Sequence, residues 1–354
     1  MKIGLFMYRL SFGGGEKVQL FLAKSFESLG HEIHIFSSDK QVQTLPYHIH
    51  ISMFSGHLNI PRKIQYANWM SREIRESKLD VFIVFYNQDF VLLANLLSHT
   101  PIISSLRTDY YFNAKSFGRR IAQWCWLVFS KGVVFQTQAV RNCAPKIVQL
   151  KSIVIPNPVM IDNAEALING HRKKKIVAVG RLSEEKGCLQ LINAFCKTAG
   201  KHDYTLHFYG TGPLEDILKQ YVDSLHMGNR IRIEGYIKSP EFIFSDSEIF
   251  VLNSKPDGCE GMPNSLIEAM SLECGCIATR INSGATEELI EDKINGLLVD
   301  FDNIEQLSNA IMTLIANENL RHDIQKAAGK LRKKLDRKDI ILRWNNYILG
   351  RIYE

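Results

Sequence analysis

Short apolar runs rich in β-branched and aromatic residues alternate with longer amphipathic stretches along the whole chain. The runs fall at 2–7, 31–37, 80–86, 101–106, 132–137 and 152–155 in the first half. In the second half they fall at 175–180, 204–209, 230–234, 249–253, 275–279 and 297–299. Runs of this kind predict strands buried on both faces, and the stretches between them are long enough for crossover helices. The pattern therefore predicts an α/β protein with two Rossmann-like, doubly wound parallel sheets. Ile155-Pro156-Asn157-Pro158-Val159 marks the junction, because two prolines in three residues make a stiff, extended hinge. The predicted domains are 1–158 and 159–335, followed by a terminal segment 336–354. Internal repeats and low-complexity segments are absent from the sequence.

A length of 354 residues suits two domains, and 45% hydrophobic with 23% charged residues is an ordinary globular composition. No apolar run approaches the roughly 18 residues of a spanning helix. The start, Met1 to Met7, is apolar but lacks a cleavage-site pattern, so it reads as a first strand and not as a signal peptide. The seven cysteines (125, 143, 188, 196, 259, 274 and 276) are scattered and form no C-x-x-C pair, which predicts reduced thiols in a cytoplasmic protein. The 11 histidines show no metal-ligand spacing such as H-E-x-x-H. The net charge of +6 is unevenly divided: residues 1–158 carry 18 Lys+Arg against 9 Asp+Glu, a balance of +9, and the remainder carries −3. The first half is thus expected to meet something anionic. A membrane surface or a phosphate-bearing substrate fits better than nucleic acid, for which no RNP, zinc-finger or helix-turn-helix signature is present.

Ligands of open parallel sheets bind at the carboxyl ends of the strands. There the chain carries Gly13-Gly14-Gly15 after the first run, Arg181 and Lys186 after the run at 175–180, and Gly210-Thr211-Gly212-Pro213 after the next. Asp257 to Glu260 follow the run ending near Asn253. Pro263 suits the first position of a helix, leaving the N–H groups of Asn264, Ser265 and Leu266 to attract a phosphate. Glu268 lies five residues further on, about 7.5 Å at 1.5 Å per residue, which is near the reach from a diphosphate to a ribose. A pair of surface glutamates is the bland alternative for Glu260 and Glu268. Against it, Leu266, Ile267, Ala269 and Met270 make the helix buried, and a buried carboxylate needs a partner. A guanidinium and an ammonium in the Arg181–Lys186 loop suit a diphosphate that gains charge as its bond to a sugar breaks.

On these residues the chain resembles the family 4 retaining glycosyltransferases of the GT-B fold, whose two domains face each other across a cleft. The resemblance runs from Gly13-Gly14-Gly15-Glu16 through Ile155-Pro156-Asn157, Gly210-Thr211-Gly212-Pro213 and the two glutamates to Asn295-Gly296-Leu297-Leu298-Val299. It implies that the first domain binds an acceptor and the second a nucleotide-sugar, and that 336–354, with Arg343, Trp344 and Tyr347, forms a helix crossing back to the first domain. It further implies that Arg181 and Lys186 hold the donor diphosphate, Glu268 the ribose and Glu260 the sugar. Gly261, Met262, Pro263, Asn264, Ser265, Gly210 and Gly212 complete the donor site, and Gly13 to Gly15 close on the diphosphate. Where many members carry a catalytic histidine, this chain has Leu106-Arg107-Thr108-Asp109, which leaves Arg107 and Asp109 as acceptor-side candidates. Ser283 to Glu288 departs from the family's glycine-rich loop, with Thr286 where proline is common.

Asp300-Phe301-Asp302 is formally a D-x-D metal motif, but its place before a helical stretch predicts capping. No metal or other cofactor is expected. Three consecutive glycines are not G-x-G-x-x-G, which disfavours a nicotinamide-dependent dehydrogenase. Residues 115–131 place basic groups before Trp124, Trp126 and Phe129, as in a helix at a membrane interface, and a core helix fits the same stretch equally well. The resemblance implies a UDP-sugar donor carrying an N-acetylhexosamine or hexose. It implies a lipid-linked glycan acceptor of O-antigen, capsule or lipopolysaccharide synthesis, and a peripheral place on the cytoplasmic face of the inner membrane. The competing readings are a GT-B UDP-N-acetylglucosamine epimerase and a catalytically silent nucleotide-sugar-binding subunit. The first is disfavoured by the paired glutamates with the Arg/Lys loop, the second by the presence of all four charged residues.

Overall fold

The computed structural model describes residues 1–7, 14–53, 59–85, 89–112, 116–168, 170–258 and 260–353. The chain divides into two compact units, Met1–Pro158 with Arg337–Glu354, and Val159–Asp336.

The first unit holds β1 (Lys2–Phe6), β2 (Glu32–Ser37), β3 (His48–Ile51), β4 (Val81–Val84), β5 (Ile102–Leu106), β6 (Gly132–Phe135) and β7 (Ser152–Val154). They form one parallel sheet in the order β3-β2-β1-β4-β5-β6-β7. The second unit holds β8 (Lys173–Val179), β9 (Thr205–Tyr209), β10 (Ile231–Gly235), β11 (Ser247–Leu252), β12 (Gly275–Thr279) and β13 (Leu297–Val299). Their order, β10-β9-β8-β11-β12-β13, repeats the same doubly wound plan. Each predicted run overlaps one of these strands, with bounds that differ by up to two residues. The remaining strand, β3, lies in none of the runs; it is a four-residue edge strand, His-Ile-His-Ile, with only two apolar residues.

Burial on both faces explains the apolar runs. In β4, Phe82 and Val84 enter one core with Phe6, Phe36 and Phe135, whereas Val81 and Ile83 enter the other with Ile3, Leu5 and Ile35. In β11, Phe250 and Leu252 face one core and Ile249 and Val251 the other. This is the period of two that a strand imposes, with an apolar layer on each side. The helix Arg337–Tyr353 belongs to the first unit, where Trp344 is buried beside Ile340 and Ile348. Its Tyr347 hydroxyl accepts the Val133 N–H of β6 at 2.7 Å.

The six described cysteines are free. Burial pushes the Cys188 and Cys274 thiols up to about 11 and holds Cys276 well above the usual thiol value, so these remain protonated packing groups. No described helix is long and apolar enough to cross a membrane.

Candidate active site

The polar side chains that gather at the carboxyl ends of β8 and β11 are held there by backbone fit. After β8, Glu184–Lys186 makes a single tight turn that ends on Gly187, at φ 53°. A Cβ on Gly187 would stand 2.4 Å from Asn253 Nδ2 and 2.5 Å from Asn253 O. With glycine there, Asn253 Nδ2 donates to Gly187 O at 2.8 Å, and Lys255 N–H donates to Glu185 O at 2.8 Å. The loops after β8 and β11 are thereby fastened together.

That fastening brings Lys186 and Glu260 into an ion pair, 74 residues apart in sequence. Ser254 Oγ bridges them, 3.3 Å from Lys186 Nζ and 3.3 Å from Glu260 Oε2. Both side chains are about four-fifths covered, at 22% and 18% exposure, so the pair is screened less than a surface one. Arg181, on the same loop, is exposed.

The loop after β9 lies directly on this one. Gly210 has φ 143°, and a Cβ there would stand 1.8 Å from Gly180 O. Leu182 N–H donates to Thr211 O at 3.0 Å, and a Cβ on Gly212 would meet Leu182 O at 2.3 Å. The visible work of Gly210 and Gly212 is to let two backbones touch.

The helix Asn264–Ser271 begins one residue later than predicted, with Pro263 as its N-cap at φ −75° and ψ 108°. Proline offers no side chain to cap the first-turn amides, and the first intrahelical bond runs from Ile267 N–H to Pro263 O at 3.2 Å. Gly261, Met262 and Pro263 are buried, Asn264 and Ser265 half-buried. Leu266, Ile267, Ala269 and Met270 enter the core, and Glu268 is buried in the same helix at 6% exposure. Ser283 Oγ donates to Gly261 O at 2.6 Å, tying the turn before the helix Ala285–Leu289 to the residue after Glu260. Thr286 is fully buried and its hydroxyl bonds Glu287.

The capping role predicted for Asp300 and Asp302 needs correction. Asn303 caps the helix Ile304–Ala316, accepting Gln306 N–H at 3.0 Å. Asp300 pairs with Arg280 at 3.0 Å, and Asp302 accepts from Gln190 at 3.3 Å. Asn303 wins because its side chain stands at the helix boundary, whereas Asp302 is turned away at φ 64°.

In the first unit Gly14 and Gly15 form the first turn of the helix Gly14–Ser28, and Gly13 lies outside the described residues. Arg107, after β5, donates from Nη1 to Asn157 Oδ1 at 2.6 Å and lies 4.0 Å over the Phe85 ring. Gln136 Nε2 donates to the same Asn157 oxygen at 2.8 Å. Asp109 is buried and accepts Tyr111 N–H at 3.0 Å, so its carboxylate shapes its own turn. Ser254, Gln136 and Asn157 were not recognised from sequence as parts of these arrangements. Only Asn157 had a signal, its place between two prolines.

Both readings of residues 115–131 capture part of the helix Phe117–Phe129. Trp126 is core at 2% exposure, whereas Phe117, Ile121, Trp124 and Phe129 are exposed beside Arg119 and Arg120. Next to it lies an open hollow of about 360 Å³, lined mainly by Tyr110, Tyr111, Ile121, Trp124 and Pro145.

Two family models match: "Glycosyl transferases group 1" over residues 161–331 and "Glycosyltransferase Family 4" over residues 12–163. An uncharacterized glycosyltransferase of Haemophilus influenzae is 26% identical, covering 90% of this chain and 92% of that protein. The N-acetylgalactosamine-N,N'-diacetylbacillosaminyl-diphospho-undecaprenol 4-alpha-N-acetylgalactosaminyltransferase of Campylobacter jejuni is 27% identical over 99% of this chain and all of its own length. Among solved structures, Anabaena HepE in complex with UDP superposes with a TM-score of 0.82 at 18% identity, over 99% of this chain and all of that one.

Proposed function

Because the chain belongs to the family 4 glycosyltransferases of the GT-B fold, we propose that it moves a sugar from a UDP-sugar to a lipid-linked glycan, retaining anomeric configuration and using no metal ion. The observation that carries this reading is the Lys186–Glu260 pair at the strand ends of the second unit. It sets a cation able to neutralise a leaving phosphate beside a carboxylate able to accept a sugar hydroxyl. Arg181 joins Lys186 on the diphosphate, the open start of the helix Asn264–Ser271 adds its amides, and Glu268 accepts the ribose hydroxyls. The UDP held by the HepE relative supports the nucleotide, and the undecaprenol-linked acceptor of the Campylobacter relative supports the acceptor class.

Glu260 is engaged by Lys186 and Ser254, so it serves as a positioning group for the sugar and not as a nucleophile. The reaction then proceeds on one face. The bond from the anomeric carbon to the UDP oxygen breaks, and the acceptor oxygen bonds to the same face. Its proton passes to the departing phosphate, which Arg181 and Lys186 stabilise. The acceptor's lipid fits the first unit, whose sequence is basic and whose helix Phe117–Phe129 exposes Phe117, Ile121 and Trp124. The enzyme would work against the cytoplasmic face of a membrane.

A panel of UDP- and GDP-sugars, offered with an undecaprenyl-diphosphate-linked acceptor in EDTA, tests the whole reading. The expected product comes from a UDP-sugar and keeps the donor's anomeric configuration by NMR. Glu268→Ala should weaken UDP binding by about 1.5–3 kcal/mol in calorimetry, the value of a hydrogen bond to a charged group. An inverted product, or activity that EDTA abolishes and magnesium restores, would refute the mechanism.

A further inference from the structure

The first unit carries a second group of chemistry-bearing side chains, at the amino ends of its strands and therefore at the opposite end of the sheet from Arg107. Parallel register sets His34 of β2 beside His48 of the edge strand β3, and Phe36 beside His50. With a side-chain period of two, Glu32, His34, His48 and His50 share one face of the sheet. The His34 and His48 rings stack with centroids 4.8 Å apart and 20° between their planes.

Glu32 Oε1 lies 2.9 Å from His34 Nε2 and 3.6 Å from His48 Nε2, and a ligand atom from each of the three residues lies within 4.8 Å of the others. Ligands about 2.0–2.1 Å from a tetrahedral zinc stand about 3.3–3.4 Å from one another. The two short separations bracket that spacing, and small rotations of exposed side chains reach it. Glu32 and His48 are 39% and 64% exposed, so an ion can enter and a water can complete its shell.

Behind His34 runs a relay that fixes which nitrogen is free. His34 Nδ1 meets His50 Nε2 at 3.0 Å, and His50 Nδ1 meets Glu73 Oε2 at 2.9 Å. The Glu73 carboxylate accepts, so His50 donates from Nδ1 and accepts at Nε2. His34 must then donate from Nδ1, which leaves a lone pair on its Nε2. With His34 neutral, that lone pair faces the Glu32 carboxylate at 2.9 Å, a contact that a shared proton or a metal cation satisfies. Lys2 Nζ, 3.3 Å from Glu32 Oε1, is 41% exposed on a long stem and can swing aside.

We propose that Glu32, His34 and His48 form a binding site for a divalent transition metal of the zinc class, with His50 and Glu73 orienting His34 from behind. Imidazole and carboxylate donors suit zinc and cobalt, and a carboxylate–histidine relay behind a ligating imidazole is the usual support of such a site. The ion would pin the edge strand β3 to β2. This site shares no residue with the donor site, so it stands or falls independently of the proposed function.

The test is a titration of chelator-treated, full-length protein with Co²⁺, followed by its visible d–d absorption, and then displacement by Zn²⁺. One equivalent is expected, with an intense four-coordinate-type band that zinc abolishes. His48→Gln, at an exposed position on the edge strand, and His34→Gln should each remove that band. Glu73→Gln should weaken affinity about ten- to a hundredfold, as loss of a supporting partner does, and glycosyl transfer should be unchanged by His48→Gln. Thermal melting of the unaltered protein should rise on adding Zn²⁺ and should not rise for His48→Gln. Absence of a bound equivalent, or an unchanged band in His48→Gln, would overturn the proposal.

Discussion

The strand ends of the two units are shaped by different means. In the second unit backbones decide: Gly187 and Gly210 sit where a Cβ would strike a neighbouring loop, and the loops they carry hold Lys186 against Glu260. In the first unit side chains decide: Arg107 is fixed by Asn157, with Gln136 on the same oxygen, and by the Phe85 ring. A backbone-built rim has few alternative arrangements, because moving it means breaking strand-to-strand loop bonds. A side-chain rim can be rebuilt by substitution without disturbing the sheet. The unit proposed to bind the donor thus has the rigid rim, and the unit proposed to bind the acceptor has the adaptable one.

The largest effect expected from this contrast is on Lys186→Ala. It removes the cation proposed to meet the leaving phosphate and leaves Glu260, largely covered, without its ammonium. Turnover should fall about a hundred- to a thousandfold, as when one transition-state charge stabiliser is lost, while circular dichroism stays unchanged. Near-normal turnover would place phosphate stabilisation elsewhere and break the link between rigid rim and chemistry. Next in size is the stability difference between the rims. Gly210→Ala meets both an unfavourable φ and a backbone oxygen, and should cost about 3 kcal/mol. Arg107→Lys keeps the charge and loses the planar stack on Phe85, and should cost about 1 kcal/mol. Denaturant midpoints compare the two directly, and a reversed order would refute the contrast.

The same contrast explains what could be read before the structure. The doubly wound fold was legible because strands buried on both faces leave uninterrupted apolar runs. The strand β3 escaped because an edge strand with one polar face reads His-Ile-His-Ile. Lys186 and Glu260 were legible because the glycines and proline that position them are local and conspicuous. Arg107 could be named, but its partner Asn157 lies 50 residues away and nothing short-range joins them. Ser254 was overlooked for the same reason, since a lone serine after a strand carries no mark. Asp302 looked like a cap and Asn303 is one, a difference of one residue that dihedral angles decide. The Glu32, His34 and His48 cluster was invisible because it depends on the register of β2 against β3, which no spacing along the chain encodes.

The smallest expected effect concerns the exposed face of the helix Phe117–Phe129, and it asks whether the first unit's basic character acts locally or as a diffuse field. Trp126 is buried and serves the core, so it should not affect lipid binding except through folding. Phe117, Ile121 and Trp124 are exposed, with the exposed Arg119 beside them, an apolar and basic surface suited to a lipid interface. Vesicles with anionic lipid should bind the protein and release it as salt rises, because the attraction is screened within about 8 Å at physiological ionic strength. Arg119→Gln should weaken that binding by about 1 kcal/mol, the value of one basic residue near an anionic surface. Trp124→Ala should weaken it by an amount that salt does not change, since its contribution is apolar. If Arg119→Gln has no effect while added salt still releases the protein, the charge acts from elsewhere on the unit. Equal sedimentation with neutral and anionic vesicles would instead leave the aromatic face as the sole anchor, and the +9 balance of residues 1–158 would then belong to the phosphates of the acceptor.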